Sequence, residues 1–454
     1  MKTFDLIVIG AGSGLDVAVE AANQGLKTAI IEAGPLGGTC LNRGCIPSKM
    51  VIHTADVAEE IKNANLFGLR ASWTHPDFRK VTFRASHTVD EEAKAIKQSL
   101  RQRKNPVLFA SKAKFISPYT LQVGTETITG KKIVIAAGAR PAIPLLPGLN
   151  KVSFMTSTEA LRQTKLPKSL IIIGGGYIGA ELGHFYAALG CPVTVIQRGP
   201  LLLSREDKDI SALFTTIWKR KYGIVCNCEI TEVEQKGKNI VVNTKHDGKK
   251  RRFVAEKLLI ATGVRPNSDT LDLAKTGVKT NEKGFIVVNK YMETTVPNIY
   301  ALGDIAGVYL FKHSANLEAQ SVLNSVLGKK QAVDYFPMPH AIFTSPQIAG
   351  VGMTEQEAQQ QGKKYVIGKY EYKNTGMGAA MAEKDGLVKF IVETKTRAIL
   401  GCHIIGPEAS TLIHEVVVAL KADRKRALDI IREAVHVHPA LSEVVQRAAG
   451  SVPV

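Results

Sequence analysis

Phe4-Asp5-Leu6-Ile7-Val8-Ile9-Gly10-Ala11-Gly12-Ser13-Gly14 is the stretch on which the fold turns. Its apolar run suits a strand of a parallel sheet, and it leads straight into a cluster of glycines. An alanine-rich segment then suits a helix, and Lys27–Glu32 suits a second strand, so the whole reads as a βαβ unit. In such a unit Gly10 allows the tight turn, and Gly12 lets backbone amides approach a pyrophosphate whose charge is favoured by the helix N-terminus. Glu32, 22 residues after Gly10, can accept hydrogen bonds from a ribose diol. Leu15 stands at the sixth position, where the fingerprint has a third glycine for helix–strand packing, and Gly14 beside it is the candidate to compensate.

A second copy follows. Ser169–Ile173 is strand-like, Gly174-Gly175-Gly176-Tyr177-Ile178-Gly179 fills all three glycine positions with Gly174, Gly176 and Gly179, and Val193–Ile196 supplies the second strand. Two dinucleotides are therefore expected. Gln197 and Arg198 stand where the first unit has Glu32. A carboxylate there holds an unphosphorylated ribose and repels a 2′-phosphate, whereas a guanidinium makes charge-assisted bonds to one. The second unit accordingly leans toward NADPH over NADH.

The chain has 454 residues, room for about three domains, and its 45% hydrophobic content is normal for buried cores. No apolar run approaches the roughly 18 residues needed to cross a bilayer. The first strand begins almost at the N-terminus, so a cytoplasmic protein without a membrane partner is expected. The net charge of +18 would attract polyanions, and basic stretches occur at residues 219–221, 249–252 and 421–426. None is interleaved with aromatics or carries a recognition-helix or zinc-finger pattern, so these stretches read as solvated surface rather than a nucleic-acid site.

Between the two units lies Gly37-Gly38-Thr39-Cys40-Leu41-Asn42-Arg43-Gly44-Cys45-Ile46-Pro47-Ser48-Lys49. Four residues separate Cys40 from Cys45, which brings the sulfurs within bridging reach if the segment is a loop or a distorted helix start. A zinc site would need about four ligands, and no second Cys/His cluster at ligand spacing accompanies the pair, so no metal is expected. Lys49 and the glycine-rich entry suggest an electropositive setting that favours thiolate over thiol, as disulfide exchange requires. Cys191, Cys226, Cys228 and Cys402 sit in apolar or strand-like surroundings and read as core.

The segment from Gly37 to Lys49 resembles the active-site signature of the class I pyridine nucleotide–disulfide oxidoreductases, the family of lipoamide dehydrogenase, glutathione reductase, mycothione reductase and mercuric reductase. The resemblance extends over essentially the whole chain. Ala261-Thr262-Gly263-Val264-Arg265-Pro266-Asn267 and Asn298-Ile299-Tyr300-Ala301-Leu302-Gly303-Asp304 are similar to the family's later strand and second FAD motif, whose aspartate contacts the flavin's sugar chain. His313-Ser314-Ala315-Asn316-Leu317-Glu318 resembles the segment beside the isoalloxazine, and Phe343-Thr344-Ser345-Pro346 opens a C-terminal interface domain. His436-Val437-His438-Pro439-Ala440-Leu441-Ser442-Glu443 is similar to the acid–base motif.

The resemblance implies an α/β fold with two Rossmann-like domains, one for FAD and one for NAD(P), and a C-terminal α+β interface domain. The expected FAD domain spans residues 1–150 and 271–335, the nicotinamide domain 151–270, and the interface domain 336–454. FAD would rest on Gly10, Gly12, Gly14, Glu32, Gly38, Thr39, Lys49, Gly138, Asp304, His313 and Ala315, and the nicotinamide nucleotide on the second glycine loop with Gln197, Arg198 and Gly263. Electrons would flow from the nicotinamide through flavin to a Cys40–Cys45 disulfide, with Cys45 facing the flavin and Cys40 exchanging with substrate. Lys49, paired with Glu181, would tune the flavin. His438, oriented by Glu443, would serve as acid–base group for the partner subunit of a homodimer, and His436 would be structural.

Departures from the family narrow the substrate. Glutathione reductases carry an arginine on the first helix where this chain has Glu20, and a like charge repels the substrate carboxylate. Mercuric reductases and large thioredoxin reductases use a second C-terminal cysteine pair, whereas the last cysteine here is Cys402, 52 residues from the end. A dihydrolipoamide dehydrogenase-like enzyme comes first, and an NADPH-dependent low-molecular-weight disulfide reductase of the mycothione type, suggested by residues 312–319 and 346–349, second. A flavin-bearing nucleic-acid binder without turnover is the remaining alternative. It leaves the set Cys40, Cys45, Lys49, Glu181, His438 and Glu443 without a purpose.

Overall fold

In the computed structural model, which describes residues 1–246 and 248–453, the chain divides into two compact units. The first comprises residues 1–50, 82–142 and 263–335. At its centre the strand Lys2–Ile9 pairs in parallel with Thr28–Ile31 on one side and Glu126–Ile135 on the other, and Val107–Phe109 extends the sheet beyond Thr28–Ile31. Glu126–Ile135 is long enough to serve two partners on its far edge: its first half carries an antiparallel meander, and Ile133–Ile135 pair with Ile299–Ala301. Leu6, Ile7 and Val8 are wholly buried, as expected of a central parallel strand covered on both faces. The helices Gly14–Asn23 and Lys312–Val326 pack together, and both begin where a strand of this sheet has ended. That places their N-termini beside the carboxyl ends of the strands, the usual site of ligands in open α/β sheets.

The second unit comprises residues 51–81, 143–262 and 336–454. It holds a four-stranded parallel sheet in the order Gly223–Val225, Val193–Ile196, Leu170–Ile173, Lys257–Ile260, and a three-stranded antiparallel sheet over residues 228–255. Its five-stranded antiparallel sheet, residues 339–405, packs against the helices Ala409–Ala422 and Glu443–Gly450. The nucleotide-type and C-terminal portions meet at Lys389, which is fully buried and bonds Asp207 at 2.7 Å, Asp209 at 2.8 Å and Glu355 at 2.6 Å. Burial opposes its charge, but three carboxylates outweigh that and hold the ammonium protonated. Among the described residues no helix is long and apolar enough to cross a membrane.

Candidate active site

The first glycine loop is built around two close approaches. Gly10 has φ +103°, and a Cβ there would lie 2.2 Å from the Ala136 carbonyl oxygen, so only glycine fits. A Cβ on Gly14 already brings contacts of 2.8 Å to Ala136 Cβ and 2.9 Å to Val8 Cγ1. Gly14 thus makes the helix–strand packing that the fingerprint assigns to its sixth position, and Leu15 packs on the core instead. The Ala11 amide donates to Glu32 Oε2 at 2.9 Å and the Gly34 amide to Oε1 at 2.8 Å, which locks the carboxylate against the loop.

Further groups of the first unit surround this loop. Gly38, at φ +65°, lies so close to Gly12 that a Cβ would stand 2.6 Å from its Cα. Gly138, at φ +64°, faces open space, and Thr39 is exposed on the first turn of the helix Gly38–Arg43. Asp304 is withdrawn from water and burial raises its pKa, yet among the described residues no hydrogen bond reaches its carboxyl. A half-buried carboxylate at this turn suits the hydroxyls of a sugar chain. Its turn is held by Glu318, which accepts from the Gly303 amide at 2.6 Å and from the Tyr335 hydroxyl at 2.9 Å. Ala315 is buried one turn into the following helix, and His313 is exposed and stacked on Phe311. The glycine cradle, the Glu32 carboxylate and the half-buried Asp304 fit FAD, whose role when bound is to carry two electrons between a hydride donor and a disulfide.

Cys40 lies on the helix Gly38–Arg43, and Cys45 opens the helix Cys45–Asn63. Gly44 joins the two, and a Cβ there would press to 2.9 Å on the Thr39 carbonyl oxygen. Buried Asn42 staples the entry loop by donating to the Leu36 carbonyl at 2.8 Å and the Gly38 carbonyl at 2.9 Å, a role no pattern in the sequence announced. The two thiols are in hydrogen-bond contact, half-buried and not bridged. Contact with Cys45, then burial, push the Cys40 thiol upward, so the pair holds one negative charge far more readily than two. The Lys312 ammonium acts in the opposite sense on Cys40 but does not offset these two effects. The Lys49 ammonium lies 3.4 Å from Ser48 Oγ. The other four cysteines are buried, and burial pushes Cys191 up to about 12, so they are inert packing groups.

The second unit repeats the loop geometry. Gly174 has φ +109° with a Cβ position 2.4 Å from the Ala261 carbonyl oxygen, and a Cβ on Gly179 would come within 2.0 Å of the Gly174 carbonyl oxygen. Gly176 faces open space, as does Gly263 of the first unit. The Gly175 amide donates to Gln197 Oε1 at 3.0 Å, the counterpart of the bond from Ala11 to Glu32. Arg198 is exposed and makes no ion pair among the described residues. Glu181, on the helix Tyr177–Ala188, accepts from the Phe343 amide at 3.1 Å. At the start of that helix Tyr177 donates to buried Glu206, which also meets His340 Nε2 at 2.8 Å, a triad that the sequence did not disclose. Burial opposes the Glu206 charge, but His340 and Tyr177 hold it below the usual carboxylate range.

At the C-terminal end His438 Nδ1 meets Glu443 Oε1 at 3.0 Å, and the Ala440 amide donates to Glu443 Oε2 at 3.2 Å. The His438 bond holds Glu443 below its ordinary range, which keeps it ionised beside the imidazole. Glu443 is only 8% exposed whereas the His438 side chain is 74% exposed, so the ring is oriented from beneath and presented outward. His436 is instead buried, between the Ala434 carbonyl at 3.0 Å and Glu415 Oε1 at 2.5 Å.

Residues 4–328 match the pyridine nucleotide-disulphide oxidoreductase family, and residues 338–449 match its dimerisation domain. The chain is 35% identical over 454 residues to a dihydrolipoyl dehydrogenase of Thermus scotoductus, covering 99% of this chain and 97% of the relative. It is 34% identical to a mycothione reductase of Mycobacterium tuberculosis, over 99% of each chain. Among solved structures it is similar to the Cu(II) complex of the HOCl-induced flavoprotein disulfide reductase RclA from Escherichia coli, with TM-score 0.88, 29% identity and 99% of each chain covered. The chain belongs to the pyridine nucleotide–disulfide oxidoreductase family. It is a flavoprotein disulfide oxidoreductase that uses FAD and a pyridine nucleotide and carries the family's dimerisation domain.

Proposed function

We propose that the protein is a cytoplasmic, NADPH-preferring reductase of a small disulfide, working as a homodimer through Cys40, Cys45, His438 and Glu443. The observation that carries the nucleotide preference is the bond from Gly175 N–H to the Gln197 carboxamide beside exposed Arg198. A neutral amide keeps the loop closed without repelling a 2′-phosphate, and the guanidinium is available to bind one. Relatives named dihydrolipoyl dehydrogenase and mycothione reductase are equally similar, so names do not separate lipoamide from a low-molecular-weight thiol disulfide. The nucleotide geometry favours the second. Glu20, whose carboxylate Gln24 and Asn23 keep ionised, weighs against glutathione.

In this reading the domains divide as FAD 1–150 with 271–335, nicotinamide 151–270 and interface 336–454, and Lys49 with Glu181 serves the flavin. The Cys40 thiolate attacks one sulfur of the substrate, and the substrate S–S bond breaks with its electron pair on the departing sulfur. That sulfur takes a proton from the His438 imidazolium of the partner subunit. Cys45 then attacks the Cys40 sulfur, closing the Cys40–Cys45 disulfide and releasing the second substrate thiol. Two electrons from the nucleotide reopen it. Steady-state rates with NADH and NADPH against lipoamide, glutathione disulfide and mycothione test the assignment: higher kcat/KM with NADPH and a non-lipoamide disulfide is expected. NADH-dependent turnover confined to lipoamide would replace it with the dihydrolipoamide dehydrogenase reading.

A further inference from the structure

His438 stands on residues 434–442, which have no regular structure between the helices Ala427–Glu433 and Glu443–Gly450. A group on such a segment is placed only as well as the backbone that carries it. Val435 and Val437 turn outward, 101% and 76% exposed, whereas the His436 side chain between them is 7% exposed. This alternation makes His436 the inward anchor of the segment that leads to His438. Both of its ring nitrogens are engaged. Nδ1 donates to the Ala434 carbonyl at 3.0 Å, and Nε2 meets Glu415 Oε1, from the helix Ala409–Ala422, at 2.5 Å. So short a contact between nitrogen and oxygen holds a proton, and the bond lasts whether imidazole or carboxyl carries it. The same Ala434 carbonyl accepts from Gln446 Nε2 at 3.0 Å, on the helix that also supplies Glu443. Two helices thus fix the chain just ahead of His438, whose own ring is held at Nδ1 and has no hydrogen bond at Nε2 among the described residues.

We propose that His436 and Glu415 are positioning residues for disulfide exchange, an imidazole–carboxyl pair that fixes the backbone from which exposed His438 presents its Nε2 to the departing sulfur. This rests on the reading above that His438 is the acid–base group. His436 itself passes no proton to substrate, because both its nitrogens are engaged and its side chain is withdrawn from solvent. Breaking its bond to Glu415 leaves the His438–Glu443 pair in place but frees the backbone beneath it. The proton donor, which must lie within hydrogen-bond reach of the sulfur, is then correctly placed for a smaller fraction of the time.

The test uses the flavin-loaded dimer, with kcat/KM measured for mycothione and for lipoamide and flavin reduction by nucleotide followed separately by stopped flow. His436→Phe and Glu415→Leu should each lower kcat/KM for the disulfide roughly 10–10²-fold, the cost of a misplaced reacting group, with flavin reduction unchanged. Glu415→Gln, whose carboxamide can still bond Nε2, should stay within about threefold of wild type. Adding His436→Phe to His438→Gln should cost nothing further, because a positioning residue has no effect once the group it positions is gone. A fault in folding would instead multiply the two losses, and that result would overturn the proposal. Should His436→Phe not fold, Glu415→Leu in the His438→Gln background makes the same comparison. Slow turnover in His438→Gln with wild-type turnover in Glu415→Leu and His436→Phe would overturn the role of the pair alone. Wild-type turnover in His438→Gln would overturn the acid–base reading beneath it.

Discussion

The two units carry the same glycine-loop geometry with a different side chain closing it. In each, a glycine at φ just above +100° turns the chain under a strand carbonyl, and the next residue's amide bonds a side chain at the end of the second strand. The bond is one of geometry, and both a carboxylate and a carboxamide satisfy it. The difference lies in the side chain at that position: the first unit has the acidic Glu32, the second the neutral Gln197 beside exposed Arg198. The groups proposed for catalysis are divided as well, since the cysteine pair stands in the first unit and the His438–Glu443 pair in the second. Neither unit holds a full set.

The largest expected effect breaks that division at His438. His438→Gln should lower disulfide turnover on the order of 10²–10⁴-fold, the usual worth of a positioned acid–base group, with reduction of the flavin by nucleotide retained. Mixing inactive Cys40→Ser and inactive His438→Gln subunits should restore activity, because one site of a heterodimer regains both groups. Subunits that exchange without recovery would end the cross-subunit arrangement. The carboxylate beneath the ring adds a pH signature. Glu443 is depressed in the folded state, so its bond to His438 is fully present above the ordinary glutamate pKa of about 4.3 and is lost as pH falls through the lower folded value. The carboxyl carbon of labelled Glu443, followed by NMR against pH, should titrate below the ordinary glutamate value, and His438→Gln should move that midpoint upward.

A smaller effect separates the loops. Alanine at Gly10 or Gly174 would meet a carbonyl oxygen at 2.2 or 2.4 Å in a strained φ, a penalty of roughly 1–3 kcal/mol before any clash is relieved. Gly10→Ala should purify with substoichiometric flavin. Gly174→Ala should stay yellow and raise the KM for the nicotinamide nucleotide about tenfold or more. Equal flavin loss in both would mean that the loops are not separate sites. The smallest effect tests the charge difference: Gln197→Glu with Arg198→Glu should move the NADPH to NADH ratio of kcat/KM about tenfold toward NADH, by adding a repulsive carboxylate and removing a phosphate partner. An unchanged ratio would assign Arg198 to the solvated surface.

Much of this was legible in the chain. Strand, glycine turn and helix follow one another within a few residues, and the constraints that select them, a positive φ at Gly10 or an apolar run at residues 6–9, act locally. The spacing of Cys40 from Cys45 and of His438 from Glu443 is likewise short, so the two pairs could be named before any fold was known. The substitution of Gly14 for the missing sixth-position glycine was already suggested by adjacency, and its contacts with Val8 and Ala136 give it substance.

What tertiary structure decided is the set of partners that sequence separation conceals. Lys312 reaches Ser13, 299 residues away in the chain, because the helices Gly14–Asn23 and Lys312–Val326 pack together. Glu318 holds the turn of Asp304, His340 holds Glu206 against Tyr177, and Lys389 gathers three carboxylates, all through segments that share no local pattern. By itself the sequence pointed to the residues proposed to carry chemistry, because backbone conformation and short-range spacing leave a local trace. Only the folded sheet decided which charges face one another, because Coulombic and hydrogen-bond energies depend on distances in space that the order of residues does not record.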